Sequence, residues 1–333
     1  MKAVLYKGPE VVEVDEVESP SIGSDDVLVR VKAAGICGSD LETYKGKRTV
    51  KIPIIIGHEA SGDVVEVGSH VSKVAVKDRV TIEPNMGCGR CVYCMTGKSN
   101  ICPNKISLGI NAEGVFAEYV KVPENYVWKI PKDMSYHDAA LVEPLAVSVH
   151  ALKKMEIMAG DNALVIGGGP IGALAALILQ SLHANVALQE PVPSRMRILR
   201  DLGLKVWGTS PSDIEDLMGT CFAGEKASVI IDAVGIEASL SQALRVVKPG
   251  GRIILIGFGA PEGKINLPQI VRQEIEIRGS IIYVADFPKA IKFIHDGIVP
   301  ASKIVTHKFS LNDIQKGFDV ALRGEGLKVL VTV

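Results

Sequence analysis

The sequence predicts an α/β protein of two domains, one made of short strands and one built on a doubly wound parallel sheet. Its 333 residues exceed the usual single-domain length of about 100 to 200 residues. From residue 161 onward, segments typical of strands and helices alternate, which indicates parallel βαβ units. Hydrophobic residues make up 47% of the chain but aromatic residues only 5%, so the cores are aliphatic, as in the buried strands of parallel sheets.

The first 150 residues contain short β runs separated by Gly, Pro and Asp, which favours a barrel-like, all-β domain. Its predicted strands lie at 11–14, 26–31, 60–67 and 78–82. Further strands are predicted at 163–167, 185–190, 229–234, 252–257 and 274–282, near 305 and at 328–333. Helices are predicted at 171–182, 194–202, 238–247, 288–296 and 311–322.

Charge and hydropathy exclude two classes of partner. Lys plus Arg number 37 and Asp plus Glu 38, and this net charge of -1 without a basic stripe argues against nucleic acid. The uncharged stretch 163–182 is interrupted early by three glycines and Pro170, so it is interpreted as a strand, a turn and a buried helix rather than a membrane span. With no apolar signal segment at the N-terminus, we expect a soluble, cytoplasmic protein.

A glycine fingerprint follows the apolar strand 163–166 and opens an apolar helix. In Gly167-Gly168-Gly169-Pro170-Ile171-Gly172, Gly167 permits the tight turn, Gly169 a close approach to a pyrophosphate, and Gly172 the packing of helix on strand. The helix N-terminus supplies free N–H groups for phosphates. Eighteen residues later, the Glu190 carboxylate favours a ribose 2′-OH and therefore NAD, although Arg195 or Arg197 could instead neutralise the 2′-phosphate of NADP.

Four of the six cysteines are clustered in one Gly-rich segment. The spacing Cys88-x2-Cys91-x2-Cys94-x7-Cys102 provides four thiolates, which suit a closed, tetrahedral structural Zn²⁺ site. An iron–sulfur cluster is the alternative, but the last gap does not fit its usual spacing and no second cysteine set exists. Cys221 belongs to no cluster and is expected to have no role.

A third set of polar residues is dispersed in the first 150 residues. It comprises Cys37-Gly38-Ser39-Asp40, Gly57-His58-Glu59 and Glu143-Pro144. Together a thiolate, an imidazole and a carboxylate make a mixed site that can leave one position open for water or a substrate oxygen, as a catalytic zinc ion requires.

The order of these motifs resembles the zinc-dependent medium-chain dehydrogenase/reductase family along essentially the whole chain. Within that family it is most similar to the polyol and diol branch, the sorbitol and butanediol dehydrogenases, where a Glu such as Glu143 replaces a ligand cysteine. The resemblance implies a GroES-like β-barrel catalytic domain at 1–147 and 286–333 and a Rossmann NAD-binding domain at 148–285. It also implies hydride transfer from a secondary alcohol to NAD, giving a ketone, in a homodimer or homotetramer.

The resemblance assigns roles residue by residue. Cys37, His58 and Glu143 would hold the catalytic zinc, with Glu59 as an exchangeable ligand or a residue behind the ligands, Asp40 orienting His58 and Ser39 relaying the proton. Each chain would thus bind one catalytic and one structural zinc ion. The coenzyme would contact Gly167, Gly169, Pro170, Ile171 and Gly172 through its pyrophosphate, Glu190 and Arg195 through its adenosine, and Ala233, Gly235, Gly257 and Gly259 near the nicotinamide.

Two departures from the family pattern leave alternatives open. Glu42 stands where many members have a proton-relaying His, and Ile282 replaces the Arg of the Arg-Tyr pair of sorbitol dehydrogenases, while Tyr283 is kept. The alternatives are a dehydrogenase of L-threonine or of a sugar or cyclitol derivative, and a non-catalytic, zinc-stabilised nucleotide-binding protein. A zinc-free quinone reductase of the wider superfamily would lack both cysteine-bearing sites.

Overall fold

The computed structural model describes all residues, 1–333, in two compact units. One unit comprises Met1–Glu143 and Phe287–Val333, and the other Pro144–Asp286. The first division falls inside the helix Val142–Lys153, four residues before the boundary expected from sequence. The second lies one residue after the expected boundary.

The first unit is built around a seven-stranded sheet. The order along it is Val127–Lys129, Arg79–Ile82, Glu59–Val67, Asp26–Ile36, Lys328–Thr332 and Val305–Ser310, with Tyr119–Pro123 also pairing with Asp26–Ile36. Two smaller sheets comprise Lys2–Gly8, Val11–Glu16 and Ile54–Ile55, and Asn85–Met86 and Ile106–Ser107. Its helices are Gly38–Tyr44, Val92–Met95, Tyr136–Ala139, Phe287–His295, Ala301–Ile304 and Ile314–Arg323, with 3-10 turns at Ser99–Ile101, Glu124–Tyr126 and Leu311–Asp313.

The second unit contains one fully parallel, six-stranded sheet. Its order is Val206–Trp207, Asn185–Gln189, Asn162–Ile166, Ala227–Asp232, Val247–Leu255 and Glu276–Gly279. The helices besides Val142–Lys153 are Pro170–Ser181, Pro193–Asp201, Pro211–Phe222, Glu237–Val246 and Leu267–Gln273. Every residue of Ala227–Asp232 is buried, as expected for a central strand with both faces covered.

Several elements differ from the prediction. The strand expected at 274–282 is limited to Glu276–Gly279, and beyond it Ile282 and Ala285 adopt left-handed φ angles of 57° and 55°, which a strand cannot accommodate. The helix expected at 311–322 begins with a 3-10 turn. The short helices Gly38–Tyr44, Val92–Met95, Tyr136–Ala139 and Ala301–Ile304 of the first unit were not predicted. Neither were three helices of the second unit, Val142–Lys153, Pro211–Phe222 and Leu267–Gln273. The last two follow a side-chain cap, Ser210 or Asn266, and carry Pro in the first turn, so their start signals were present in the sequence.

No helix combines the length and the apolar composition that crossing a bilayer would need. The uncharged stretch 163–182 is divided between the strand Asn162–Ile166 and the helix Pro170–Ser181, as predicted.

Candidate active site and metal centres

Asp40 organises the mixed site in the first unit. Cys37 follows the long strand Asp26–Ile36 and is the N-cap residue of the helix Gly38–Tyr44. The Cys37 N–H donates to Asp40 Oδ2 at 2.8 Å, and Asp40 Oδ1 lies 3.3 Å from His58 Nδ1. The buried Asp40 carboxylate therefore fixes the cysteine and the histidine together, which is the orienting role expected for it.

The electrostatics of the site favour a positive charge at His58. Burial of the imidazole lowers its pKa, but the carboxylate of Asp40 and the neighbouring Cys37 outweigh burial and raise the pKa of His58 well above its usual value. A site that stabilises an imidazolium in this way also suits a bound cation in contact with the neutral ring.

The structure brings Cys37, His58 and Glu59 together. One ligand atom from each lies within 4.8 Å of the other two. Glu143, the expected third ligand, is buried in the first turn of Val142–Lys153 but is not part of this close group. The Glu59 carboxylate is fully buried, and its Oε2 accepts no hydrogen bond. A buried oxygen without a hydrogen bond, next to a thiol and an imidazole, fits a metal ion.

Lys328 is a member of the site that the sequence analysis missed. It is 1% exposed, and its Nζ donates to Glu59 Oε1 at 2.5 Å and to the Ile36 carbonyl at 3.0 Å. Burial lowers the pKa of Lys328, but Glu59, Cys37 and Glu143 outweigh burial and raise it above its ordinary value. The available signal was a single charge inside the apolar run 327–331.

The proposed proton relay is less enclosed than the ligands. Ser39 is partly exposed in the helix Gly38–Tyr44, and its carbonyl accepts a hydrogen bond from the Thr43 hydroxyl at 3.1 Å. Glu42 is also partly exposed, with its carboxylate 3.8 Å from Lys47 Nζ.

The four-cysteine segment forms a second close group. The sulfurs of Cys88, Cys91, Cys94 and Cys102 lie within 4.8 Å of one another, and no disulfide joins them. The N–H groups of Arg90 and Cys91 lower the pKa of Cys88 to about 6, whereas burial raises the pKa of Cys94 to about 12. With pKa values so far apart, the sulfurs of Cys88 and Cys94 are not both thiolates at neutral pH by themselves, and a divalent cation would stabilise the thiolate form of the ligands it binds.

The glycine fingerprint forms a tight turn that leads into an uncapped helix start. Gly167 has a φ of 98°, and a Cβ at Gly172 would lie 1.9 Å from the Gly167 carbonyl oxygen. Gly169 caps Pro170–Ser181 without a side-chain hydrogen bond, and a Cβ placed on it would meet no atom within 4 Å. The first N–H groups of a helix beginning at Pro170 and Ile171 thus have no side-chain cap, as phosphate binding requires.

The Glu190 carboxylate is hydrogen-bonded to the glycine loop. Its Oε2 accepts the Gly168 N–H at 3.0 Å, and its Oε1 accepts the Val192 N–H at 2.8 Å. The carboxylate is 2% exposed, so it stabilises the loop in addition to the ribose contact expected for it. Arg195 is partly exposed in Pro193–Asp201, three residues beyond Val192.

The residues expected near the nicotinamide pack against one another. A Cβ at Gly235 would lie 2.1 Å from the Gly257 carbonyl carbon, and one at Gly259 would lie 2.8 Å from the Val234 carbonyl oxygen. The Ala233 N–H donates to the Ile166 carbonyl at 2.9 Å. These residues therefore gather with Gly167 at the carboxyl ends of adjacent parallel strands, where nucleotides bind in such sheets.

Comparison with known proteins identifies the family. Residues 23–132 match the model of the alcohol dehydrogenase GroES-like domain, and residues 170–296 match that of the zinc-binding dehydrogenases. The sorbitol dehydrogenase of Bacillus subtilis (strain 168) is 33% identical over 341 residues, covering 99% of this chain and 97% of the relative.

Two solved structures share the fold over the whole chain. An alcohol dehydrogenase from E. coli CFT073 in complex with NADH has a TM-score of 0.93 and 30% identity, covering 100% of this chain and 99% of the other. The 2R,3R-butanediol dehydrogenase of Bacillus subtilis has a TM-score of 0.91 and 30% identity, with the same coverage. The resemblance to the polyol and diol branch is thereby confirmed, and the chain belongs to the zinc-binding dehydrogenases with a GroES-like domain, a family of oxidoreductases.

Proposed function

We propose that this chain oxidises a secondary alcohol of a polyol or vicinal diol to a ketone, with zinc at its mixed site and NAD as hydride acceptor. The observation that carries the proposal is the close group of Cys37, His58 and Glu59, which contains a buried carboxylate oxygen without a hydrogen bond. A protein that only binds nucleotides has no need for such a donor set.

Cys37 and His58 would hold the catalytic ion, with a carboxylate as third protein ligand. The family resemblance assigns this place to Glu143, whereas the close group supports Glu59. When bound, zinc acts as a Lewis acid on the alcohol oxygen and NAD accepts the hydride. Asp40 contacts His58 Nδ1, so the other ring nitrogen would remain available to the ion.

The proton of the alcohol would leave through the Ser39 hydroxyl. Ser39 is the hydroxyl nearest in sequence to Cys37, and its partial exposure allows exchange with solvent. Glu42, on the same helix, could receive the proton in place of the missing histidine, because it is also partly exposed. Ser39→Ala would then lower kcat and shift its pH dependence while leaving the zinc content unchanged.

The second unit would bind NAD through the uncapped start of Pro170–Ser181 and through Glu190. The negative charge of Glu190 would repel the additional phosphate of NADP. Arg195 would cover the adenine. Glu190→Ala should weaken NAD⁺ binding and relax the rejection of NADP⁺, and an unchanged ratio of the two affinities would refute this role.

We also propose that the four cysteines hold a structural zinc ion and that the protein is a cytoplasmic homodimer or homotetramer. The six free cysteines support a reducing compartment. The expected partner is a small alcohol, not a nucleic acid or a membrane.

The first test is NADH formation from sorbitol, xylitol, galactitol, 2,3-butanediol and L-threonine, with NADP⁺ assayed in parallel. Strong polyol rates would show that Ile282 is tolerated in place of arginine. Activity confined to the short diol would mean that loss of the guanidinium restricts the pocket. Oxidation of L-threonine alone would favour the amino-alcohol alternative.

If zinc is bound but every substrate is inactive, sugar phosphates and aminocyclitols are the next panel. Tight NADH binding without turnover on either panel would instead support the non-catalytic nucleotide-binding protein. Cys37→Ala is the matched control, since it removes a catalytic ligand and leaves the four-cysteine site intact.

A further inference from the structure

Lys328 is the buried charge that the proposed mechanism does not use. It begins the strand Lys328–Thr332, and its side chain is 2% exposed. Lysine is almost never buried so completely without a partner, and the partner here is Glu59. The pair lies directly beside Cys37, the first residue of the metal donor set.

The sheet itself positions this pair. Lys328–Thr332 and Glu59–Val67 lie on opposite sides of Asp26–Ile36, so the two side chains must reach each other across that strand. Gly35 makes this possible. Gly35 is in register with Glu59, and a Cβ on it would lie 2.0 Å from Glu59 Oε2 and 2.7 Å from Lys328 Cε.

The contacts place Glu59 between the Lys328 ammonium and the other two metal-donor side chains, Cys37 and His58. The ammonium of Lys328 contacts both oxygens of the carboxylate but forms a hydrogen bond with Oε1 only, leaving Oε2 without one. The same carboxylate is close to Cys37 and His58. An ammonium that shares a carboxylate with a metal ion weakens that carboxylate as a donor.

We propose that Lys328 is a positioning residue of the metal centre, which competes with the bound ion for Glu59 and so keeps this ligand exchangeable. The inference rests on the proposed zinc site. With Lys328 present, the carboxylate is held beside the ion but donates to it only in part. Without Lys328, the full negative charge of Glu59 would interact with the metal, which would then be bound more tightly.

The test measures the release of zinc to a chelator from the full-length, coenzyme-free protein. The kinetic phase of zinc release that is lost in Cys37→Ala belongs to the mixed site. The phase that remains belongs to the four-cysteine site and is an internal control. Lys328→Met should slow release from the mixed site by about tenfold or more, the scale on which residues behind metal ligands act. Glu59→Gln should accelerate it by about the same factor, and Lys328→Arg should retain the wild-type rate.

A double-mutant cycle shows whether the effect passes through Glu59. In the Glu59→Gln background, Lys328→Met should no longer slow the release. An equal effect of Lys328→Met in both backgrounds would mean that the ammonium acts on the ion directly, and it would overturn the proposal. An unchanged or faster release in the single variant would do the same.

Lys328→Met leaves Glu59 buried and unpaired, and this variant could fail to fold. In that case Glu59→Gln and Lys328→Arg decide the matter, because wild-type release from Glu59→Gln would overturn the proposal. Release rates do not depend on turnover. A protein that shows these rates but oxidises no alcohol would therefore refute the proposed function and leave the role of Lys328 intact.

Discussion

Gly35 decides whether the charged pair beside the metal donors can form. Gly35→Ala should destabilise the protein by about 1–3 kcal/mol, because the added methyl group overlaps with Glu59 and Lys328. It should also lower the zinc occupancy of the mixed site, because the methyl group displaces the Glu59 carboxylate itself and not only Lys328. Thermal unfolding and metal analysis check both effects.

The matched control is Gly38→Ala, three residues away, where a Cβ would meet no atom within 4 Å. This variant should keep its zinc. Equal stability and equal zinc content in the two alanine variants would contradict the role assigned to Gly35.

At the scale of single residues, the sequence predicted which residues belong to the site better than which side chains contact one another. Cys37 and His58 were found from their motifs, and the structure places them together. Lys328 was missed because nothing in a strand sequence shows which carboxylate its ammonium meets across two neighbouring strands. The family resemblance assigned the third ligand position to Glu143, whereas the structure places Glu59 in the close group. Which carboxylate lies nearer depends on distances within a fold that joins residues far apart in sequence.

Two glycines of the fingerprint, one in the turn and one in the helix, allow an effect on stability to be distinguished from an effect on coenzyme binding. Gly172→Ala should destabilise the coenzyme-free protein by about 1–3 kcal/mol, because the methyl group would lie 1.9 Å from a carbonyl oxygen. Gly169→Ala should leave that stability within about 0.5 kcal/mol, since the space around it is open. It should nevertheless weaken NADH binding by about tenfold, because a methyl group would keep the pyrophosphate from the helix start.

Thermal unfolding without coenzyme and NADH titration by fluorescence distinguish these two expectations. If Gly169→Ala binds NADH as tightly as the wild type, the pyrophosphate does not approach the backbone at this position.

At the scale of secondary-structure elements, sequence patterns predicted the features that depend on residues close together in the chain. The alternation after residue 161 predicted a parallel sheet, and the structure has six parallel strands. The strand at 274–282 was overestimated because an apolar run does not reveal the left-handed backbone at Ile282. Val305–Ser310 and Lys328–Thr332 join the sheet of the N-terminal segment, and such distant pairing could be expected only from the family resemblance.

At the scale of the whole molecule, the last residue of the second unit, Asp286, makes a contribution to stability that depends on pH. Asp286, fully buried, contacts His150 at 3.0 Å and Lys153, and accepts the Val284 N–H at 3.0 Å. Burial raises the pKa of Asp286, but His150 and Lys153 outweigh it and lower the pKa below the ordinary carboxyl value.

Because the folded pKa of Asp286 is lowered, its stabilisation is complete above the unfolded pKa of about 4 and is lost as the pH falls through the folded value. Asp286→Asn should cost about 3 kcal/mol at pH 7 and reduce the loss of stability below pH 4. Denaturant unfolding across this range measures both. Exposed Asp133→Asn is the control and should change stability by less than about 0.5 kcal/mol.

We expect the mixed site to determine activity and the four-cysteine site to contribute to stability. Cys37→Ala should abolish alcohol oxidation and leave the melting temperature within a few degrees of the wild type, because the open site holds its ion for chemistry. Cys102→Ala should lower the melting temperature by about 5 °C or more, since the segment 88–102 has little core of its own and depends on its ion. Metal analysis should show that each variant loses one site and keeps the other. Loss of both ions from Cys37→Ala, or full activity in that variant, would contradict this division and leave the mixed site with a structural role.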